Sequence, residues 1–148
     1  MDYGIYYWID DIAALWDSIV VDHKKVESYR MAKIPESVTK TPCAITFSMN
    51  GNNPNSLAGS AEGFYTGVTE FHLTLDQVRS KIPYCMQFPD LIVAAAASHI
   101  TLNGKVVSFK IGQWEFFEGN WGNEADHFGI KVPWTVQENQ TGKYTIGR

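Results

Sequence analysis

The sequence predicts an α+β fold: a single domain in which a largely antiparallel β-sheet carries two helices packed on one face. Three observations carry that expectation. The first twenty residues hold an apolar stripe of helical period, several later segments alternate apolar and polar side chains at period two, and one alanine-rich run follows a proline. Runs of strands broken by two helices can bury their apolar faces only by layering the helices on the sheet.

Ile5, Trp8, Ile9, Ile12, Leu15, Trp16, Ile19 and Val20 recur at spacings of three and four, so they predict a helix from about Asp2–Gly4 to Val21. Asp10, Asp11, Asp17 and Ser18 fill its other face, and Asp2 complements the positive end of the helix dipole. Ile5, Trp8, Ile12, Leu15 and Trp16 are the expected contact with the sheet. Lys25 to Lys33 reads as an edge strand closed by Ile34-Pro35, because a residue before proline is pushed out of helical geometry.

Cys43–Met49 alternates larger apolar side chains with small or polar ones and predicts a strand. Asn50 to Gly63 is rich in Asn, Gly, Ser and Pro, which favour turns, and predicts a long exposed loop that orders only in an assembly. Phe64–Leu75 alternates again, with Tyr65, Gly67, Thr69, Phe71, Leu73 and Leu75 on one face, and completes a hairpin with the preceding strand. After a connection through Pro83, Pro89 starts a helix at its first turn, where a missing N–H costs nothing, and Leu91–Ile100 continues it. Asn103-Gly104 is a turn, and Val106, Val107, Phe109 and Ile111 form a further strand. Gly112–Asp126 interleaves aromatics with glycines as a hairpin would. Phe128–Val136 alternates once more, with Pro133 pointing to an edge or a bulge. Gln137–Arg148 is polar and expected to fray.

At 148 residues, 45% hydrophobic, the chain is long enough to bury a core without disulfides or a structural metal. Sixteen acidic against 12 basic side chains, a formal charge of −4, leave no basic footprint for gripping DNA from outside. No apolar run reaches the roughly 18 residues of a membrane span, and the start lacks the basic and apolar regions of a secretory signal. The expectation is an unanchored, unsecreted cytoplasmic protein.

Side chains able to do chemistry do not converge. His23, His72, His99 and His127 sit in four separate elements, and in Asp126-His127 adjacent residues of a strand point to opposite faces, so no metal is expected. Cys43 and Cys85 lack CxxC spacing and read as buried or idle thiols. Gly51 to Ser60 lacks the Gly-Lys-Ser/Thr ending and the following helix of a phosphate loop. No catalytic residue or cofactor is expected. Aromatics make 14% of the chain, and Trp114, Phe116, Phe117, Trp121 and Trp134 cluster in its last third. Core packing accounts for most; an exposed subset would mark an interface or, with the Asn-rich loop, a platform for sugars in a small carbohydrate-binding module.

The order of elements resembles the tail terminator, or tail-completion, proteins of long-tailed bacteriophages. The residues that carry the likeness are the helix Ile5–Val20, Ile34-Pro35-Glu36-Ser37-Val38 leading into Pro42–Phe47, and, after a polar loop, Gly67–Leu73. Pro89–Ala95 followed by Leu102–Val106, and the closing Phe128–Val132, complete it. The resemblance implies a homohexameric ring in the virion neck, without catalytic activity, that ends tail-tube polymerisation. It also implies partners in the tail tube protein and the head connector or head-completion protein, with another neck protein as the near alternative. DNA would pass through the ring without specific binding, and six copies multiply the net charge of −4 into a bore that repels it. Asn50, Asn52, Asn53, Asn55, Trp114, Phe116, Phe117 and Trp121 are the expected assembly contacts.

Overall fold

The N-terminal stripe does not fold as one long helix. In the computed structural model, which describes residues 4–52, 62–74, 81–119 and 127–139, Gly4 takes φ +60° and opens only a 3-10 turn, Gly4–Tyr6. Helix α1 spans Ile9–Leu15, and a second 3-10 turn, Trp16–Ser18, ends it. The β-branched run Ile19-Val20-Val21 favours extended backbone over further helix. Val20–Val21 (β1) accordingly pairs antiparallel with Lys24–Lys25 (β2) across Asp22 and His23, both at positive φ, as a tight two-residue hairpin requires. The expected core contacts survive this shortening: Trp8, Ile12, Leu15 and Trp16 are buried, and Ile5 packs half-buried against them. Val20, counted in the stripe, faces solvent.

Glu27–Tyr29 (β3) is the edge strand expected near here, and it runs parallel to Cys43–Asn52 (β4). β4 pairs antiparallel with Glu62–Thr74 (β5), so Asn50, Gly51, Asn52, Glu62 and Gly63 belong to the hairpin strands and not to the loop; residues 53–61 lie outside the described residues. A one-turn helix, Ile82–Cys85 (α2), precedes Phe88–Ala97 (α3), which has Pro89 in its first turn as expected. α3 stops short of Ile100 because Ser98 Oγ donates to the Ala94 carbonyl and His99 Nδ1 lies 2.8 Å from that of Ala95, satisfying the last turn. Leu102, Asn103 and Gly104 all have positive φ, and this turn is tied to α1: Lys105 Nζ lies 2.7 Å from Asp11 Oδ2, and Tyr7 donates to the Lys105 carbonyl. Strands Ser108–Ile111 (β6) and Glu115–Gly119 (β7) follow, then His127–Asn139 (β8).

The six-stranded sheet has the order β3-β4-β5-β8-β6, with β7 also on β8, and is antiparallel except at β3–β4. Pro133 therefore sits in a central strand, contrary to the expected edge or bulge. β6 pairs with β8 only as far as Trp134 and β7 only from Lys131 onward, so the missing N–H of Pro133 falls at the seam between two partners. Its carbonyl still accepts from Gly112 N at 2.7 Å. Gln137–Asn139, expected to fray, extend β8, with Glu138 buried.

α1 and α3 cover the same face. Tyr65, Phe71, Leu73, Ile130, Val132, Trp134 and Val136 from the sheet form one core with Trp8, Ile12 and Trp16 from the first helical region and Phe88, Ile92 and Ala96 from α3. Trp8 meets Trp134 edge to face at 5.7 Å, and Trp16 meets Phe71 at 5.2 Å. Gly67 lies opposite Trp134; a Cβ there would run into the indole ring and into the Phe47 carbonyl, so glycine gives the indole its place on the sheet.

Candidate assembly surfaces

The helices leave the other face of the sheet only partly covered. At its β3 end, Ile34 and Val38 from the connection before β4 pack on Cys43, Ile45, Tyr29 and Phe47 in a second, smaller core. Beyond Phe47 the described residues leave part of this face open. Phe47, Met49, Val68 and Pro133 line an open depression of about 470 Å³. A register shift between Ser48 and Asn50 leaves Met49 unpaired and 64% exposed.

The far end of this face is charged. Glu70 and Lys131 are opposite in register, and Glu70 Oε1 lies 3.4 Å from His72 Nε2. Phe117 stands edge-on to the His72 ring at 5.6 Å, and Lys131 Nζ lies 5.0 Å from the Phe117 centroid, a cation–π distance. Gly129 makes this possible: a Cβ there would strike the Phe71 carbonyl and crowd Phe117. Among the described residues no group of three or more His, Cys, Asp or Glu is placed to hold a metal ion. Cys43 and Cys85 are both buried free thiols. Burial is the main cause that pushes Cys43 up to about 12, and burial also raises Cys85, so neither forms a thiolate near neutrality.

The expected assembly residues divide. Asn50 and Asn52 are exposed near the end of β4, with Asn50 Oδ1 accepting from Thr66 Oγ1 at 2.7 Å. Asn53, Asn55 and Trp121 lie outside the described residues. Trp114 and Phe116 turn toward the helix-bearing core, where Phe116 stacks on Phe128, while Phe117, next in sequence, lies on the open face. Trp134 is buried beneath α1 and cannot serve as a solvent-facing platform. Sequence reasoning passed over Phe47, Met49 and Val68 as a surface. Their signal was present in β4 and β5, which carry apolar side chains on both faces, as strands covered on both sides do.

The fold thus defines a small α+β protein with one sheet face closed by its own helices and one that the described residues leave partly open. No protein-family model matches the chain, and no curated protein matches it. None of the described helices is long and apolar enough to cross a membrane.

Proposed function

We infer that this chain is a structural subunit of a phage neck, a tail terminator that forms a ring at the head-proximal end of the tail, halts tube growth and docks onto the head connector. The observation that carries the reading is the open sheet face: Phe47, Met49, Val68 and Pro133 around a wide depression form a surface suited to a protein partner. The order of elements adds support, since an opening helix, a long hairpin, an alanine-rich helix and a closing strand follow one another as in tail terminators.

A ring subunit meets its neighbours through two different surfaces related by rotation, and the two faces of this sheet differ as that requires. Particles assembled without the protein are expected to accumulate intact heads and separate tails of abnormal length, visible by electron microscopy. Joined, infectious particles would overturn the reading. So would tight glycan binding by a monomeric chain, which would favour a carbohydrate-binding module.

A further inference from the structure

We propose that β7 is a docking edge, which takes up an extended, basic segment of another polypeptide as an added strand. The inference is independent of the ring reading and starts from how each edge of the sheet ends. At β3, Val26 N donates to the Ile19 carbonyl at 3.0 Å, Arg30 Nη1 donates to the Ser28 carbonyl at 2.9 Å, and Ser28 Oγ donates to the Ala13 carbonyl, so the first helical region and Arg30 close that edge. Beyond its pairing with β3, β4 is interrupted by the register shift between Ser48 and Asn50, a bulge that puts its backbone groups out of line. At β6, Phe109 N donates to the Ile100 carbonyl at 2.6 Å. Covering loops, capping side chains and bulges are the means by which sheets prevent unwanted pairing.

Among the described residues β7 has none of these, and charge alone guards it. Glu115–Gly119 pairs only with β8 there, so alternate N–H and C=O groups point along its outer side with no described strand to meet them. The strand is held in place: Phe116 stacks on Phe128 with centroids 5.4 Å apart, and Phe117 stands edge-on to His72. An edge already fixed in extended form costs little further ordering when a second strand binds. Its charges select the partner. Glu115 and Glu118 are exposed, and neither has an ion-pair partner among the described residues; Lys131, opposite Glu115 in register, holds its ammonium over the Phe117 ring instead. Three residues apart on a strand, the two carboxylates lie on opposite faces. A second β7 brings like charge to this edge. A segment with Lys or Arg at the same spacing, and apolar residues between them beside Phe116 and Phe117, complements both faces at once. Main-chain hydrogen bonds then supply the affinity and the side-chain pairs the selectivity.

The test uses the intact chain and a blocked peptide, Thr-Lys-Val-Val-Lys-Thr, followed through backbone amide NMR signals. In the free chain, hydrogen exchange should be slow at the β7 amides bonded to β8 and fast at the alternating ones. Protection of all of them shows that the edge is already occupied and overturns the proposal. The peptide should shift the signals of Glu115 to Glu118 and slow the fast amides. Methylating its backbone nitrogens should weaken binding by about tenfold or more, because the main-chain donors are lost. The charge-reversed peptide Thr-Glu-Val-Val-Glu-Thr should leave the parent chain unchanged. A double variant, Glu115→Lys with Glu118→Lys, should exchange these preferences, and its gain of binding to the acidic peptide also shows that it is folded. If the basic peptide leaves the β7 signals unmoved, if methylation has no effect, or if both peptides bind the parent chain equally, β7 is not the docking edge. None of these outcomes bears on the particle phenotype, so the ring reading stands or falls separately.

Discussion

On the helix-bearing face, Tyr65, Phe71, Ile130, Val132, Trp134 and Val136 are at most 1% exposed; on the opposite face of neighbouring positions, Met49 is 64% and Phe64 41% exposed. The strands are the same, so the difference comes from what lies above them. Two helical regions fill the first face with interlocking indole and phenyl rings, whereas the second keeps a packed core only under Ile34 and Val38. Folding energy is therefore concentrated on one face. The comparison also explains why apolar alternation alone marks a strand's faces without telling which of them the chain itself will cover.

The largest way to break this asymmetry is to remove its centre. Trp134→Ala should cost about 3–5 kcal/mol, because the indole is fully buried between Trp8 and Gly67; chemical denaturation would measure it. Leu15→Ala, 4% exposed on α1, should cost about 2–5 kcal/mol in the same assay, and an unmoved midpoint would show that α1 contributes little to the closed face.

A buried polar pair sharpens the comparison. Thr46 and Thr69 share a hydrogen bond of 2.9 Å within the sheet. Thr69→Val alone should cost about 1–3 kcal/mol by orphaning its partner, while Thr46→Val with Thr69→Val should come close to the parent stability. A double-mutant cycle decides. Cys43 gives the next effect. Its thiol normally titrates near 9.0 and is held up to about 12 in the fold, so above pH 9 the unfolded chain loses a proton that the folded chain keeps. The Cys43 contribution should then be constant below pH 9 and fall as pH rises, by roughly 1 kcal/mol by pH 10, read as the difference in slope between the parent and Cys43→Ala. The smallest effect belongs to the open face: Met49→Ser should leave the unfolding of the single chain within about 0.5 kcal/mol of the parent in chemical denaturation.

Much of this fold was legible in the sequence because its strongest signals are local. Period two located β4, β5 and β8, and Pro89 marked the first turn of α3. What escaped depends on distant partners. The stripe from Ile5 to Val20 keeps a helical spacing even where the backbone has turned into a 3-10 turn and a strand, since Trp16 and Ile19 can reach the same core from either conformation. Pro133 signalled an edge, and only the positions of β6 and β7, which meet β8 on either side of it, show how a central strand accommodates it. Of the expected assembly contacts, Phe116 and Phe117 split between the faces, as adjacent strand residues must, and the depression of Phe47, Met49 and Val68 takes shape only once Pro133 is brought beside them.

The position of β8 has a consequence for biosynthesis. Its register partners on β5, β6 and β7 are all translated earlier, and its Ile130, Val132, Trp134 and Val136 supply the middle of the core that both helices need. A nascent chain that has not yet delivered this strand holds β5 without one of its two neighbours and Trp8 without the Trp134 ring, the condition in which incomplete chains expose apolar surface. Chains interrupted before β8 are thus expected to expose that apolar surface, and because Pro133 also lines the open depression, they lack part of its wall as well. Completion of the core and of the depression's wall arrive with the same thirteen residues.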